Sequence, residues 1–110
     1  MIKVSIHNVN HTIRKIRITG HALSGPVGYD LICAGVSAIA TGALNALVEM
    51  ENENVHLIYQ EGEDALIEIN VLATNEKLES LLRFMIYQLK TVEDSHSKNI
   101  RLSLQHEHSL

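Results

Sequence analysis

The sequence predicts an α+β domain in two layers, ordered strand-strand-helix-strand-strand-helix-strand, with the helices packed on one face of a mainly antiparallel or mixed sheet. Three observations predict it. Five short segments read as strands, four of them alternating apolar and polar residues with period two, two longer segments repeat apolar residues every three or four positions, and the order is a doubled hairpin–helix unit. At 110 residues the chain forms one domain, 1–110, long enough to bury a core without staples.

Residues 2–7 place Ile2, Val4 and Ile6 on one face and Lys3, Ser5 and His7 on the other, a half-buried strand. Asn8 to His11 supplies turn chemistry, because Asn tolerates left-handed backbone. Residues 12–19 return as the partner strand, with Ile16 and Ile18 opposed to Lys15 and Arg17. Gly20 stops that strand, and Gly25, Pro26 and Gly28 rule out regular structure across 20–28. From Tyr29 to Glu51 the period becomes helical through Leu31, Ile32, Val36, Ile39, Leu44 and Leu47. This helix is rich in small residues, and Gly35 and Gly42 each cost about 1 kcal/mol against alanine, which close packing must offset. Such a helix is central or meets a second subunit.

Asn52 to Asn54 ends that helix; Val55–Gln60 and Ala65–Val71 form a second hairpin around the turn Glu61 to Asp64. Asn75 can cap a second helix over about residues 75–91, whose stripe of Leu78, Leu81, Leu82, Met85, Ile86 and Leu89 is cleanly amphipathic. Ile100, Leu102 and Leu104 mark a last short strand. Residues 105–110 read as a polar tail, and Glu49, Glu51 and Glu53 as a solvated helix end.

Bulk properties narrow the function. A net charge of −4 and scattered basic residues exclude a naked nucleic-acid binder, and one Phe, three Tyr and no Trp offer no stacking platform. One cysteine permits neither an internal disulfide nor a multi-thiolate zinc site. No apolar run is read as approaching the roughly 20 residues of a membrane span. With no signal-peptide architecture at the start, the expectation is a cytoplasmic protein acting on peptides or small molecules, with no cofactor.

The chemistry concentrates in residues 20–42. Cys33 follows a glycine-bearing loop and lies near the start of the long helix, where free N–H groups and the macrodipole favour a thiolate. Asp30, Cys33 and Ser37 are spaced three and four apart and so share a helix face. A cysteine nucleophile needs an imidazole to take its proton and return it to the leaving amine, and His21 stands on the far bank of the loop. Each residue also has an ordinary reading: Cys33 as a small core residue, His21 as a solvated loop side chain, Asp30 as an N-cap, Ser37 as a donor to a helix carbonyl. On spacing alone both readings stand.

The run Gly20-His21-Ala22, then Gly28-Tyr29-Asp30-Leu31-Ile32-Cys33-Ala34-Gly35-Val36-Ser37-Ala38, resembles the signature of the ribosomal-processing cysteine proteases, the Prp family. Length and element order agree with it over essentially the whole chain. The resemblance implies a bacterial endopeptidase that removes the N-terminal extension of large-subunit ribosomal protein twenty-seven. It implies Cys33 as nucleophile, His21 as general base, Asp30 and Ser37 as supporting polar positions, and a loop hinged at Gly25 and Gly28 that moves when substrate binds. It also implies a homodimer formed through helices. Gly35 departs from the alanine common in the family without touching the chemistry, and Pro26 stiffens the loop.

Two rivals carry different expectations. A non-catalytic ribosome-associated module would bind peptide along an exposed strand edge, and its Cys33 would not react fast with iodoacetamide. A redox-sensing thiol would oxidise reversibly, yet the chain has no resolving cysteine. The remaining histidines, His7, His11, His56, His96, His106 and His108, are read as solvated, with His106-Glu107-His108 at most an adventitious metal ligand in a tail. No metal site is expected.

Overall fold

The protein is seen in a computed structural model that describes residues 1–20, 29–62 and 64–108, and of residues 29 and 30 the backbone only. A hairpin of β1 (Ile2–Val9) and β2 (Thr12–Thr19) begins the chain, closed by Asn10 and His11, both with positive φ. Ile2, Val4, Ile6, Ile13, Ile16 and Ile18 are buried. Ile13 and Ile16, three apart, would fall on opposite faces of a regular strand. A register shift opposite His7 and Asn8, which leaves Arg14 unpaired, lets both point inward.

The chain then runs through α1 (Tyr29–Glu51), a single tight helical turn at Asn52–Asn54, β3 (Val55–Gln60) and β4 (Leu66–Val71). It closes with α2 (Glu76–Ser95) and β5 (Ile100–Glu107). The sheet order is β3-β4-β2-β1-β5. β5 lies parallel to β1 and all other pairs are antiparallel, so the sheet is mixed. Val36, Ala40 and Leu47 of α1 and Leu78, Leu82, Met85 and Leu89 of α2 join the inward residues of the strands in one core. The opposite sheet face carries exposed Lys3, Lys15 and Arg17, and Arg17 lies 4.0 Å from the buried Glu68 carboxylate on the neighbouring strand. Two layers with one solvated sheet face is the arrangement the alternation demands.

Several expectations are corrected. Residues 105–107 are not a tail but the end of β5, paired with His7, Asn8 and Val9. α2 continues to Ser95, past the expected end near 91. Glu51 is not solvated. It is buried beyond the end of the α1 core, where the Asn75 side-chain amide donates to it and Lys77 approaches to 3.6 Å. The same Asn75 accepts the N–H of Leu78 at 2.8 Å, the expected N-cap of α2.

A further correction concerns apolar length. Within Leu31–Asn54 an 18-residue window is apolar enough, by length and composition alone, to cross a membrane. Here its Cys33, Val36, Ala40 and Leu47 are core residues, while Leu31, Val48 and Met50 are exposed. A core helix with an apolar outer face satisfies the same arithmetic.

Candidate active site

Cys33 is the fifth residue of α1, buried to 6% exposure among the core residues. The amide groups left without intrahelical partners belong to the first turn, immediately ahead of it. α1 therefore presents its positive end close to the thiol, a pull that fades within about one turn. Ser37, half-buried, sits one turn further on the same face. Of the expected constellation the described structure joins these two. Asp30 shares their face by position, and its side chain lies outside the described residues; His21, Gly25 and Gly28 do as well.

The departure of the chain toward His21 is nonetheless fixed at its root. Gly20 ends β2 at φ 85°, and a Cβ built there would run into the main-chain carbonyl of Met1. Only glycine fits both the left-handed backbone and the close approach. Thr19, just before it, is paired to Lys3 on one side and Leu66 on the other, so the exit point belongs to a central strand held from both edges.

Two concavities open beside this point. One, of about 340 Å³, is lined by Arg17, Thr19, Gly20, Gln60 and Asp64. The other, of about 350 Å³, is lined by Ser37, Thr41, Tyr59, Gln60, Ala65 and Ile67. Gln60 and Ala65 border both, so the exit from β2 and the Ser37 face of α1 share one rim, made by the β3–β4 turn. The lining mixes the hydroxyl and amide groups of Ser37, Thr41 and Gln60 with charged Arg17, Glu61 and Asp64 and apolar Ala65 and Ile67, a mixture that suits an extended peptide, whose N–H and C=O groups need partners while its side chains need apolar contact.

Sequence reasoning treated Glu61 to Asp64 as an ordinary turn and gave Tyr59 and Gln60 no role. No local pattern marks them, because the pairing of β3 with β4 is what brings them to α1. The Tyr59 hydroxyl donates to the Glu61 carboxylate at 2.9 Å. That bond, then the carboxylate charge and a little desolvation, holds the phenol above its ordinary value of 10.0.

Comparison with known proteins identifies the family. A family model described as cysteine protease Prp matches residues 1–101. The ribosomal processing cysteine protease Prp of Staphylococcus aureus is 31% identical over 104 residues, which cover 94% of this chain and 98% of that protein. Two solved structures of an essential ribosomal processing protease Prp from S. aureus superpose on the fold. The complex with a substrate peptide gives a TM-score of 0.87 at 29% identity, covering 96% of this chain and 100% of that one. The complex with a covalently linked product peptide gives 0.83 at 29% identity, with the same coverage.

Proposed function

This chain belongs to the Prp family of cysteine proteases, and from that premise we propose that it removes the N-terminal extension of large-subunit ribosomal protein twenty-seven in the bacterial cytoplasm. The observation that carries the reading is the cysteine count. A cysteine protease needs one thiolate, and Cys33 is the chain's single cysteine, seated near the amino end of α1. The covalently linked product peptide described for the S. aureus relative is what a thiol nucleophile would leave.

In the proposed reaction His21 takes the Cys33 proton and Sγ attacks the scissile carbonyl. N–H groups at the start of α1 receive the developing oxyanion, and His21 returns the proton to the leaving amine. Water then hydrolyses the thioester, again with His21 as base. Asp30 supports the imidazole and Ser37 the thiol face, while Gly25 and Gly28 let the intervening loop fold over bound substrate. The substrate strand would lie along the rim of Ser37, Gln60 and Ala65.

A homodimer is part of the proposal. Between Leu31 and Val48 the chain has no charged residue, and the outer face of α1 exposes Leu31, Ala34, Ala38 and Val48. Beside it a groove of about 300 Å³ between the helices is lined by Ala38, Gly42, Ala46 and Phe84. Small residues permit close helix approach, and a second copy would remove this surface from water.

Mass spectrometry of the extended ribosomal protein, incubated with parent, Cys33→Ala and His21→Ala proteins, tests the catalytic assignment. The parent should yield a single shortened product and both variants none. Precursor that stays intact with the parent, or is cut by Cys33→Ala at the parent's rate, overturns the assignment.

A further inference from the structure

At the opposite end of the sheet from Gly20, three histidines meet. His11 comes from the β1–β2 turn and His106 and His108 from the end of β5 and the residue beyond it. The His11 and His106 ring centroids are 4.6 Å apart, those of His106 and His108 4.5 Å, and those of His11 and His108 5.7 Å. One nitrogen from each ring can be chosen so that all three lie within 4.8 Å of one another. We infer that these three imidazoles form a site for a borderline divalent transition-metal ion, with Zn²⁺ as the reference ligand, which clamps the end of β5 to the β1–β2 turn.

The side-chain geometry is near what the ion requires. Zinc binds imidazole nitrogen at about 2.0–2.1 Å, so nitrogens on a tetrahedral ion stand about 3.4 Å apart. All three side chains are exposed, and small rotations of free rings close the difference. The backbone beneath them is already set. Asn10 N–H donates to the Glu107 carbonyl at 2.9 Å, joining turn to strand. Arg83 donates to the His11 carbonyl at 3.2 Å, and the Ile13 N–H is shared between the two Glu79 carboxylate oxygens at 3.3 Å, joining the turn to α2. His106 and His108, two apart at the end of the strand, project to the same side. Glu107, between them, points to the other face and is engaged by His7 at 3.0 Å.

The chemistry of the set selects the ion. Three neutral nitrogen donors with water completing the shell suit zinc, copper or nickel, and offer nothing to calcium or magnesium, which take oxygen. Among the described residues no fourth protein ligand joins the three, so water would complete the shell. Asn8, the register partner of His106, has a side-chain oxygen buried without a hydrogen-bond partner among the described residues.

The turn itself gives an independent indication. Two-residue hairpin turns with positive φ at both central residues favour Asn-Gly. Here Asn10 has φ 51° as expected, and His11 holds the glycine position at φ 66°. A side chain is kept where the backbone would accept none more easily. The family match ends at residue 101, before two of the three ligands, and none of the three belongs to the proposed proteolytic machinery, so the site does not rest on the proteolytic reading.

The test uses the full chain, freed of metal with a chelator and titrated with Zn²⁺ by calorimetry. One ion per chain should bind at micromolar or lower Kd. His106→Gln and His11→Gly should each weaken it at least tenfold, while Cys33→Ala should leave it unchanged. His11→Gly relieves the positive φ, so its metal-free Tm should equal or exceed the parent's, separating ligand loss from unfolding. Zn²⁺ at a hundredfold excess over Kd should raise the parent's Tm by about 10 °C and that of His11→Gly by far less. Millimolar binding, equal binding in the histidine variants, or loss only in Cys33→Ala overturns the site.

Discussion

α1 and α2 cover the same face of the same sheet, yet they are attached to it by different means. α2 turns a stripe of Leu78, Leu82, Met85 and Leu89 inward and ties itself to the strands with charged side chains. Glu79 accepts the Ile13 N–H, Arg83 reaches the His11 carbonyl, and Glu93 accepts the Leu102 N–H at 2.6 Å. α1 is rich in small residues, keeps its thiol at one end and its ionic anchor, Glu51, at the other, and leaves an apolar outer face. A helix held by charged contacts along its length is scaffold. A helix whose middle carries no charge, and whose outer face there is built of small residues such as Ala34 and Ala38, is free to carry a nucleophile and to meet another surface.

The largest expected effect breaks this comparison if it fails. Cys33→Ala should lower precursor cleavage about a million-fold, to the floor of detection, as loss of a nucleophile does. Removing one buried sulfur should cost only about 1 kcal/mol of stability. Met85→Ala, at a site 1% exposed on α2, should do the reverse. It should cost about 2–5 kcal/mol in denaturant unfolding and leave the reaction intact in the folded fraction. If the two variants affect cleavage equally, the division between catalytic and scaffold helix is wrong.

Next in size is the outer face. Ala38→Glu on α1 would bury a carboxylate without a partner in the proposed subunit contact, which costs about 3–5 kcal/mol. Sedimentation should then show a monomer that still unfolds cooperatively. Lys90→Glu, on the exposed face of α2, should leave the oligomeric state unchanged. A monomeric parent would overturn the contact outright.

Asn75 links the two helices and tests whether they are independent. Its oxygen caps α2 while its amide satisfies the buried Glu51 at the end of α1. Asn75→Ala should cost about 2 kcal/mol, roughly half for the cap and half for a buried carboxylate deprived of a donor. Asn75→Asp keeps the cap but sets a second carboxylate against Glu51. Urea unfolding that finds it no more stable than Asn75→Ala would show that the link between the helices outweighs the cap.

How much of this was legible in the sequence follows from the range of each interaction. The β1–β2 hairpin, both bounds of α1, the β3–β4 hairpin and the Asn75 cap are local, and period and turn chemistry carry them. The parallel pairing of β5 with β1 joins residues about a hundred positions apart. Its last residues, Gln105 to Glu107, are polar on both faces, so no alternation marks them as strand. Glu51 looked solvated because its partner comes from the next helix. At the candidate site, spacing was enough to put Cys33 and Ser37 on one face of α1. The groove beside them is made by Tyr59, Gln60 and Ala65, which reach α1 only through sheet pairing, and the meeting of His11 with His106 depends on the same long-range strand.

The smallest expected effect concerns that groove. Tyr59 and Glu61 form its lip, and the carboxylate keeps the phenol protonated above its ordinary range. Spectrophotometric titration, with Tyr59→Phe subtracted to isolate this ring from Tyr29 and Tyr87, should show one phenol ionising above 10.0. Glu61→Gln should bring it down toward that value. The sign is that of an acid whose charged form is disfavoured in the folded protein. Stability is untouched below pH 10 and is lost only as pH rises past it, and for an exposed ring the loss is small. Across the working range of a thiol and an imidazole Tyr59 is therefore a neutral donor. Cleavage by Tyr59→Phe should follow the same pH profile as the parent, with any change confined to KM. A shifted profile would place Tyr59 among the groups that move protons and would extend the chemistry of α1 onto β3.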